Sequence, residues 1–195
     1  VWLIGEYSKQ DFQIKKTDVV IDVGAHIGLF SLYASQNCTK GKIFAFEPIK
    51  ENYEILESNK KLNDFSNIQS ENCAISDVTS KITLYQSNDE SGHSRFIQTN
   101  NPVEVASKSL NDFFKENRLE SVNLLKLDCE GSEYEIIDSL EDKYFEMTEK
   151  MIIEYHLADS NPELLEKLKN KLKCHSYKIS IEPLFKDIGF LYAKK

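Results

Sequence analysis

The sequence has few of the residues that mark disulfide-rich, fibrous or membrane-spanning proteins. Its 195 residues include only four cysteines, four prolines and seven glycines. The cysteines are far apart and form no C-x-x-C pair, which argues against a zinc site or a disulfide framework. No apolar stretch approaches the roughly twenty residues of a membrane span, and no signal peptide is visible. We therefore expect a cytoplasmic protein with reduced thiols.

An excess of basic charge is also missing, since the formal net charge is −8. A nucleic-acid surface needs a basic stripe, so we expect no nucleic-acid partner and no membrane partner. The local basic patch of the chain has the spacing of a solvated helix face and comprises Lys167, Lys169, Lys171 and Lys173. The sequence leaves the oligomeric state open.

The length suits one domain, 1–195, with residues 1–17 as a lead-in before the first strand. Because the chain starts with Val1 rather than Met, a preceding segment and a targeting signal in it stay open. Strand and helix patterns then alternate, which predicts an α/β domain with a mostly parallel sheet. The predicted strands are Val19–Val23, Lys42–Phe46, Ile68–Ile75, Val122–Leu127 and Met151–Tyr155, followed by an antiparallel edge hairpin of Tyr177–Ile181 and Gly189–Ala193.

The predicted helices follow the strands and cover His26–Gln36, Glu51–Leu62, Ser109–Asn117, Ser132–Leu140 and Pro162–Leu172. Ser109 is the expected N-cap of its helix, and Asp112 three residues later completes an approximate capping box. The alternating stretch Lys81–Tyr85 predicts an extra β segment. The polar run from Gln86 to Val103 predicts a long loop, which in compact domains is typically functional or mobile.

The first strand ends in a glycine turn, since residues 19–28 read VVIDVGAHIG. The second strand ends on a carboxylate, since residues 44–48 read FAFEP. A glycine turn followed by such a carboxylate is typical of a nucleoside site that binds ribose hydroxyls through Glu47. The turn lacks the middle glycine with which dinucleotide folds admit a pyrophosphate. This absence favours S-adenosylmethionine, which carries no phosphate, over NAD.

The polar residues collect at the ends of four of the predicted strands, and parallel strands present their carboxyl ends at one edge of the sheet. These residues are Asp22 and Gly24, Glu47, Asp128 and Glu130, and Glu154 and His156. Asp128 and Glu130 lie two residues apart and share one face if the strand continues. One carboxylate could be a general base, both could hold a divalent metal, or Glu130 could bind the backbone of the turn. His156 could accept a proton near neutral pH.

With residues 125–133, which read LKLDCEGSE, the three segments resemble the FkbM-type family of class I S-adenosylmethionine-dependent methyltransferases. The resemblance spans nearly the whole chain. It implies a Rossmann-like, seven-stranded, mostly parallel sheet with an antiparallel last strand and helices on both faces. It also implies S-adenosyl-L-methionine as cofactor and O-methylation of a sugar, polyketide or other small metabolite.

By position, the resemblance implies roles for individual residues. The cofactor side would include Asp22, Gly24, Ala25, His26, Gly28, Glu47, Ala74, Asp77 and Asp128. Ala74 and Asp77 would border the adenine, and Asp128, Glu130 and His156 would face the acceptor as catalytic residues. Two alternatives remain at this point: an NAD(P)-linked oxidoreductase with the same nucleoside site, and a non-catalytic protein that binds an adenosyl ligand.

Overall fold

A computed structural model of the chain describes residues 4–7, 9–86, 93–94 and 102–195. The strands are β1 (Val19–Val23), β2 (Lys42–Phe46), β3 (Ile68–Glu71), β4 (Ala74–Ser76), β5 (Ser80–Gln86), β6 (His93–Ser94), β7 (Pro102–Ser109), β8 (Leu124–Asp128), β9 (Lys150–Tyr155), β10 (Lys178–Phe185) and β11 (Ile188–Lys194). The helices are α1 (Ile4–Tyr7), α2 (Leu29–Asn37), α3 (Lys50–Leu62), α4 (Leu110–Asn117), α5 (Glu133–Ser139), α6 (Asp142–Met147) and α7 (Pro162–Cys174), with one 3₁₀ turn at Gln10–Phe12.

The main sheet has seven strands in the order β10-β11-β9-β8-β1-β2-β3. Strands β3, β2, β1, β8 and β9 pair in parallel, and β11 runs antiparallel to both β9 and β10. The seven-stranded, mostly parallel fold with an antiparallel last strand is therefore confirmed. So is the terminal hairpin, in which β10 forms the edge of the sheet.

Apolar side chains of the central strands point alternately to the two faces of the sheet, and helices cover both faces. Val20, Ile43, Leu124 and Ile152 pack toward α1, α2 and α3, where Tyr7, Phe30, Ala34 and Leu56 are buried. Ile21, Phe44, Leu125 and Ile153 pack toward α4, α5, α6 and α7, where Phe113, Ile137, Phe145 and Leu168 are buried. Burial on both faces explains why these strands are almost continuously apolar.

The prediction of a single third strand from Ile68 to Ile75 is wrong. The chain leaves the main sheet after Glu71, and Ala74–Ser76 joins a second, four-stranded sheet in the order β4-β7-β5-β6. The Asn72 side chain donates hydrogen bonds to the carbonyls of Glu47, at 2.9 Å, and Pro48, at 3.1 Å. This contact fixes the bend between the two sheets at the end of β2.

The extra β segment predicted at Lys81–Tyr85 is confirmed as β5, which pairs antiparallel with β7. The prediction of one long loop from Gln86 to Val103 is wrong at two places, since β6 is formed at 93–94 and β7 starts at Pro102. The remainder of that predicted loop, 87–92 and 95–101, lies outside the described residues. Strand β7 and helix α6 were not predicted.

The helix predicted from His26 begins instead at Leu29. His26, with φ of 52°, and Gly28, with φ of 87°, have left-handed backbone conformations that a right-handed helix does not contain. The turn is therefore longer than the apolar pattern indicated, and it extends across the carboxyl end of β1. The other predicted helices, at 51–62, 109–117, 132–140 and 162–172, are confirmed as α3, α4, α5 and α7 with end shifts of one or two residues.

Candidate functional site

A cavity of about 1140 Å³ lies at the carboxyl ends of β1, β2, β8 and β9. Tyr7 of α1 and Phe30 of α2 line one end of it, and Ile82 and Val105 of the second sheet line the other. Ligands of open parallel sheets bind at this position because strand ends and loops leave a crevice there. The predicted convergence of polar strand ends is therefore formed around one large cavity.

The turn after β1 is held tightly between the two neighbouring strands. The N–H groups of Gly24 and Ala25 donate to the carbonyl of Phe46 at 3.1 and 2.9 Å. Gly24 has φ of +73°, and a Cβ added to it would lie 1.8 Å from the carbonyl oxygen of Asp128. Only glycine fits this close approach. Gly24, Ala25 and His26 consequently line the cavity.

Asp22 and Gly28 support this turn from positions outside the cavity lining. Asp22 is fully buried and accepts a hydrogen bond from the Ser31 hydroxyl at 2.6 Å. Gly28 lies against Leu56, whose Cγ would be 2.9 Å from an added Cβ. Both residues therefore shape the turn through contacts within the protein.

Glu47 projects from the end of β2 into the cavity wall and is only 4 % exposed. Its carboxylate accepts hydrogen bonds from the N–H of His26 at 2.7 Å and of Ile49 at 2.9 Å. Burial raises the pKa of Glu47, and the two N–H donors oppose that effect. A carboxylate has about four lone-pair positions, so two N–H bonds leave acceptor capacity for the hydroxyls of a ligand.

A buried lysine connects the turn to β8. Lys126 is 3 % exposed, and its ammonium lies 3.1 Å from Asp22 and 3.4 Å from Asp128. The ammonium also donates to the carbonyl of Gly24 at 2.8 Å. Burial lowers the pKa of Lys126, but the Asp22 and Asp128 carboxylates outweigh burial and raise it well above the ordinary value. Lys126 therefore stays charged and balances two carboxylates.

Sequence reasoning assigned no role to Lys126. The signal for one was a lysine inside the apolar strand Leu124–Leu127, two residues before Asp128 and therefore on the same face. In the sheet, Lys126 lies directly beside Asp22 in register.

Asp128 and Glu154 are register partners at the carboxyl ends of β8 and β9, and both line the cavity. Their side chains share one face of the sheet because paired residues of adjacent strands point to the same side. Burial, with a further contribution from the Asp128 carboxylate, raises the pKa of Glu154 to about 7. Of these two carboxylates, that of Asp128 is ion-paired with Lys126 and that of Glu154 titrates near neutral pH.

His156 lies behind the cavity and is held by a second buried carboxylate. The backbone N–H of His156 donates to Glu133 at 2.7 Å, and its Nδ1 lies 3.2 Å from the same carboxylate oxygen. The other Glu133 oxygen accepts from the N–H of Gly131 at 2.9 Å. Burial opposes protonation, but Glu133 and then Glu130 raise the pKa of His156 to about 9. Glu133 therefore binds the backbone of the turn that follows β8.

Asp128, Glu130 and His156 carry oxygen and nitrogen atoms that all lie within 4.8 Å of one another. Two cations of the protein already balance these carboxylates. Lys126 lies 3.4 Å from Asp128, and the Nε2 of His156 lies 3.7 Å from Glu130. We therefore assign no metal ion to this group.

The opposite end of the cavity is apolar. Ala74 lines it and packs in a small buried cluster with Ile49, Ile82, Leu84 and Val105. Asp77 follows β4 and is not among the cavity-lining residues. An apolar surface of this kind suits an aromatic base, and Glu47 lines the same cavity.

The charge of the described lining decides between two kinds of nucleoside ligand. Its ionisable side chains include six carboxylates and two lysines, and one of these lysines is the ion-paired Lys126. A diphosphate would meet a net negative surface there, whereas a sulfonium cation would be attracted to it. The charge of the cavity lining therefore favours S-adenosylmethionine over NAD.

The family model described as the methyltransferase FkbM domain matches residues 22–179. The chain belongs to the FkbM methyltransferase family. Relatives of this FkbM domain include Methyltransferase 1 of Beauveria bassiana, 26 % identical over 84 % of this chain and 73 % of that protein. The 31-O-demethyl-FK506 methyltransferase FkbM of Streptomyces tacrolimicus is 24 % identical over 92 % of this chain and 80 % of that protein.

Solved structures show that the fold of this FkbM domain is shared with other methyltransferases. A precorrin-6y C5,15-methyltransferase from Geobacter metallireducens aligns with a TM-score of 0.55 at 15 % identity, covering 96 % of this chain and 90 % of that chain. TYW2 of M. jannaschii in complex with AdoMet aligns with a TM-score of 0.52 at 16 % identity, covering 98 % and 74 %. Family and fold together support an S-adenosylmethionine-dependent methyltransferase and do not favour the oxidoreductase alternative.

No helix among the described residues combines the length and the apolar character needed to cross a membrane.

Proposed function

We propose that this FkbM domain transfers a methyl group from S-adenosylmethionine to a hydroxyl oxygen of a small metabolite, such as a sugar or a polyketide. The observation that carries the proposal is the Glu47 carboxylate, which is buried at the cavity wall and fixed by the N–H groups of His26 and Ile49. An acidic cavity suited to a sulfonium supports it. The name of the Streptomyces relative, which describes an O-demethyl substrate, supports the hydroxyl acceptor.

In this proposal the two ends of the cavity have different roles. Gly24, Ala25 and His26 bind the cofactor through the turn, and Glu47 accepts hydrogen bonds from the ribose hydroxyls. Ala74, with Asp77 next to its strand, borders the adenine, and Asp22 and Gly28 act by shaping the turn. The acceptor binds near Asp128, Glu130 and Tyr7.

S-adenosylmethionine supplies an already activated methyl group, so the residues of the protein mainly orient the reactants and exclude water. Asp128 lies between the proposed cofactor and acceptor sites, where its carboxylate can orient the hydroxyl. His156 is held behind the cavity by Glu133 and positions Glu130 through charge. An intact set of carboxylates at the acceptor end favours catalysis over a protein that only binds the nucleoside.

The first test is thermal unfolding with S-adenosylhomocysteine, S-adenosylmethionine and NAD in parallel. Ligand at about 100 times its dissociation constant adds roughly 2.7 kcal/mol, which raises the midpoint of a chain this size by about 5–10 °C. We expect that increase with the two adenosyl ligands only. Glu47→Gln should abolish it, because the amide nitrogen cannot accept a ribose hydrogen bond.

Glu163→Gln makes the same chemical change at an exposed position on α7 and should keep the full ligand response. A midpoint increase with NAD, or no increase with either adenosyl ligand, would remove the proposed function. Release of S-adenosylhomocysteine in the presence of a panel of sugars and alcohols then distinguishes an enzyme from a binding protein.

A further inference from the structure

We propose that Glu154 is the group that takes the proton of the acceptor hydroxyl during methyl transfer. This inference rests on the proposed function and assigns a residue outside the three segments that carry the family resemblance. Glu154 is the last residue but one of β9, the strand next to β8 on the side away from the glycine turn. It lines the cavity, stands beside Asp128 in register and shares its face of the sheet.

The other ionisable groups at this end are less suited to accept a proton. Asp128 is already held in an ion pair, with its carboxylate 3.4 Å from the ammonium of Lys126. His156 is outside the cavity lining, and its pKa of about 9 leaves it protonated at neutral pH, without a free lone pair. Glu130 lies next to that imidazolium, at 3.7 Å from its Nε2.

Glu154 is partly buried and faces charged or titratable groups on each element around it. Tyr7 of α1 and Tyr192 of β11 are two of these groups. Lys126 and Asp128 of β8, and Glu130 just after it, are three more. His156 comes directly after β9, the strand of Glu154 itself. Burial is the largest influence on Glu154 and favours its neutral form. A carboxyl group with a pKa of about 7 is well matched to proton transfer at neutral pH.

The atoms and charges of the step balance. The acceptor oxygen forms a bond to the methyl carbon while the carbon–sulfur bond breaks, and its electron pair stays on sulfur. The hydroxyl proton moves to the Glu154 carboxylate, which becomes neutral. Glu154 then releases this proton to water before the next turnover. The products are a methyl ether, S-adenosylhomocysteine and one proton.

The test needs no acceptor, because a cofactor analogue can report the charge at the transfer position. Sinefungin carries an amine-bearing carbon where S-adenosylmethionine has its methyl sulfonium, whereas S-adenosylhomocysteine has no cation there. Calorimetric titration with both ligands, in buffer with EDTA, gives their affinity ratio. We expect Glu154→Gln to lower the sinefungin preference about tenfold and to leave S-adenosylhomocysteine affinity within about twofold.

The pH dependence separates a charge effect from a structural one. Since Glu154 ionises as pH rises through about 7, the sinefungin preference of the wild type should increase between pH 6 and 8. The amine of the ligand also titrates, and it does so equally in both proteins. Glu154→Gln should therefore remove only the part of the increase that comes from ionisation of Glu154. Glu154→Asp should restore the increase in part, and the exposed control Glu163→Gln should behave like the wild type.

Two results would overturn the assignment. If Glu154→Gln binds both ligands with an unchanged ratio and an unchanged pH profile, Glu154 is not at the transfer position. The same conclusion follows if it weakens both ligands equally, since that is a structural effect. If neither ligand binds the wild type, the proposed function itself fails, and the inference fails with it.

Discussion

At the scale of single residues, the site is organised by buried ion pairs. Lys126 balances Asp22 and Asp128, and Glu133 holds His156. A buried charge without a partner is costly, so removing one member of a pair would leave the other uncompensated. Beside these pairs, burial raises the pKa of Glu154 to about 7.

The His156–Glu133 pair predicts a pH dependence of stability. The folded pKa of His156, about 9, lies above its ordinary value of 6.5, so protonation favours the folded state. The stabilisation is fully present below pH 6.5 and is lost as pH rises through about 9. We expect the free energy of unfolding, from urea titrations, to fall by on the order of 3 kcal/mol between pH 6 and 9.5.

Glu133→Gln should be less stable at pH 6 and should lose most of this dependence, because the imidazolium then lacks its buried counterion. Glu163→Gln, exposed on α7, should retain the wild-type profile. Equal slopes in wild type and Glu133→Gln would contradict the pairing.

At the scale of elements, helix α4 connects the second sheet to the core. The Ser109 hydroxyl accepts the N–H of Asp112 at 3.1 Å, which confirms Ser109 as the N-cap. The capping box differs from the predicted one, because the Asp112 carboxylate accepts a hydrogen bond from the Thr79 hydroxyl. Thr79 in turn accepts the N–H of Ser109 at 3.0 Å. A side chain from the turn between β4 and β5 thus completes the cap.

We predict that Ser109→Ala lowers the free energy of unfolding by about 1 kcal/mol, because an N–H at the helix start loses its acceptor. Chemical denaturation measures this loss, and Ser109→Asn should restore most of it. Ser58→Ala is the matched control, since the exposed Ser58 hydroxyl on α3 only contacts the carbonyl of Glu54. Its effect should stay within about 0.5 kcal/mol, and a larger loss than for Ser109→Ala would count against the cap.

At the scale of the whole molecule, the acidic balance governs which partners can approach. The net charge is −8, and the lysine patch on α7 is partly neutralised by its own surroundings. Lys167 pairs with Asp138 at 2.8 Å, and Lys169 pairs with Glu166. This helix therefore presents no continuous basic stripe for a phosphate backbone.

We predict no useful affinity for nucleic acid. In fluorescence anisotropy with a labelled single-stranded RNA and a DNA duplex at about 150 mM salt, the dissociation constant should exceed roughly 10⁻⁴ M, the weak end of non-specific binding. A repeat at low salt is the control, because binding that appears only there reflects counterion release alone. Saturable micromolar binding at the higher salt would require a nucleic-acid acceptor instead of a small metabolite.

The sequence alone determined the fold and the residues that form the turn side of the cavity. The apolar strands, the glycine turn at Gly24 and the carboxylate at Glu47 are local patterns, and local patterns with fixed periodicity can be read without coordinates. The parallel order of the strands then required their polar ends to meet at one edge.

Only the tertiary structure decided how the charges at that edge are shared. In it, Lys126 pairs with Asp22 and Asp128. His156 contacts Glu133 and is not among the residues that line the cavity. The tertiary structure also divided the predicted third strand between two sheets. Ionisation depends on burial and on neighbours within a few ångströms, and residues that are close in space can be far apart in sequence, so no local pattern contains this information.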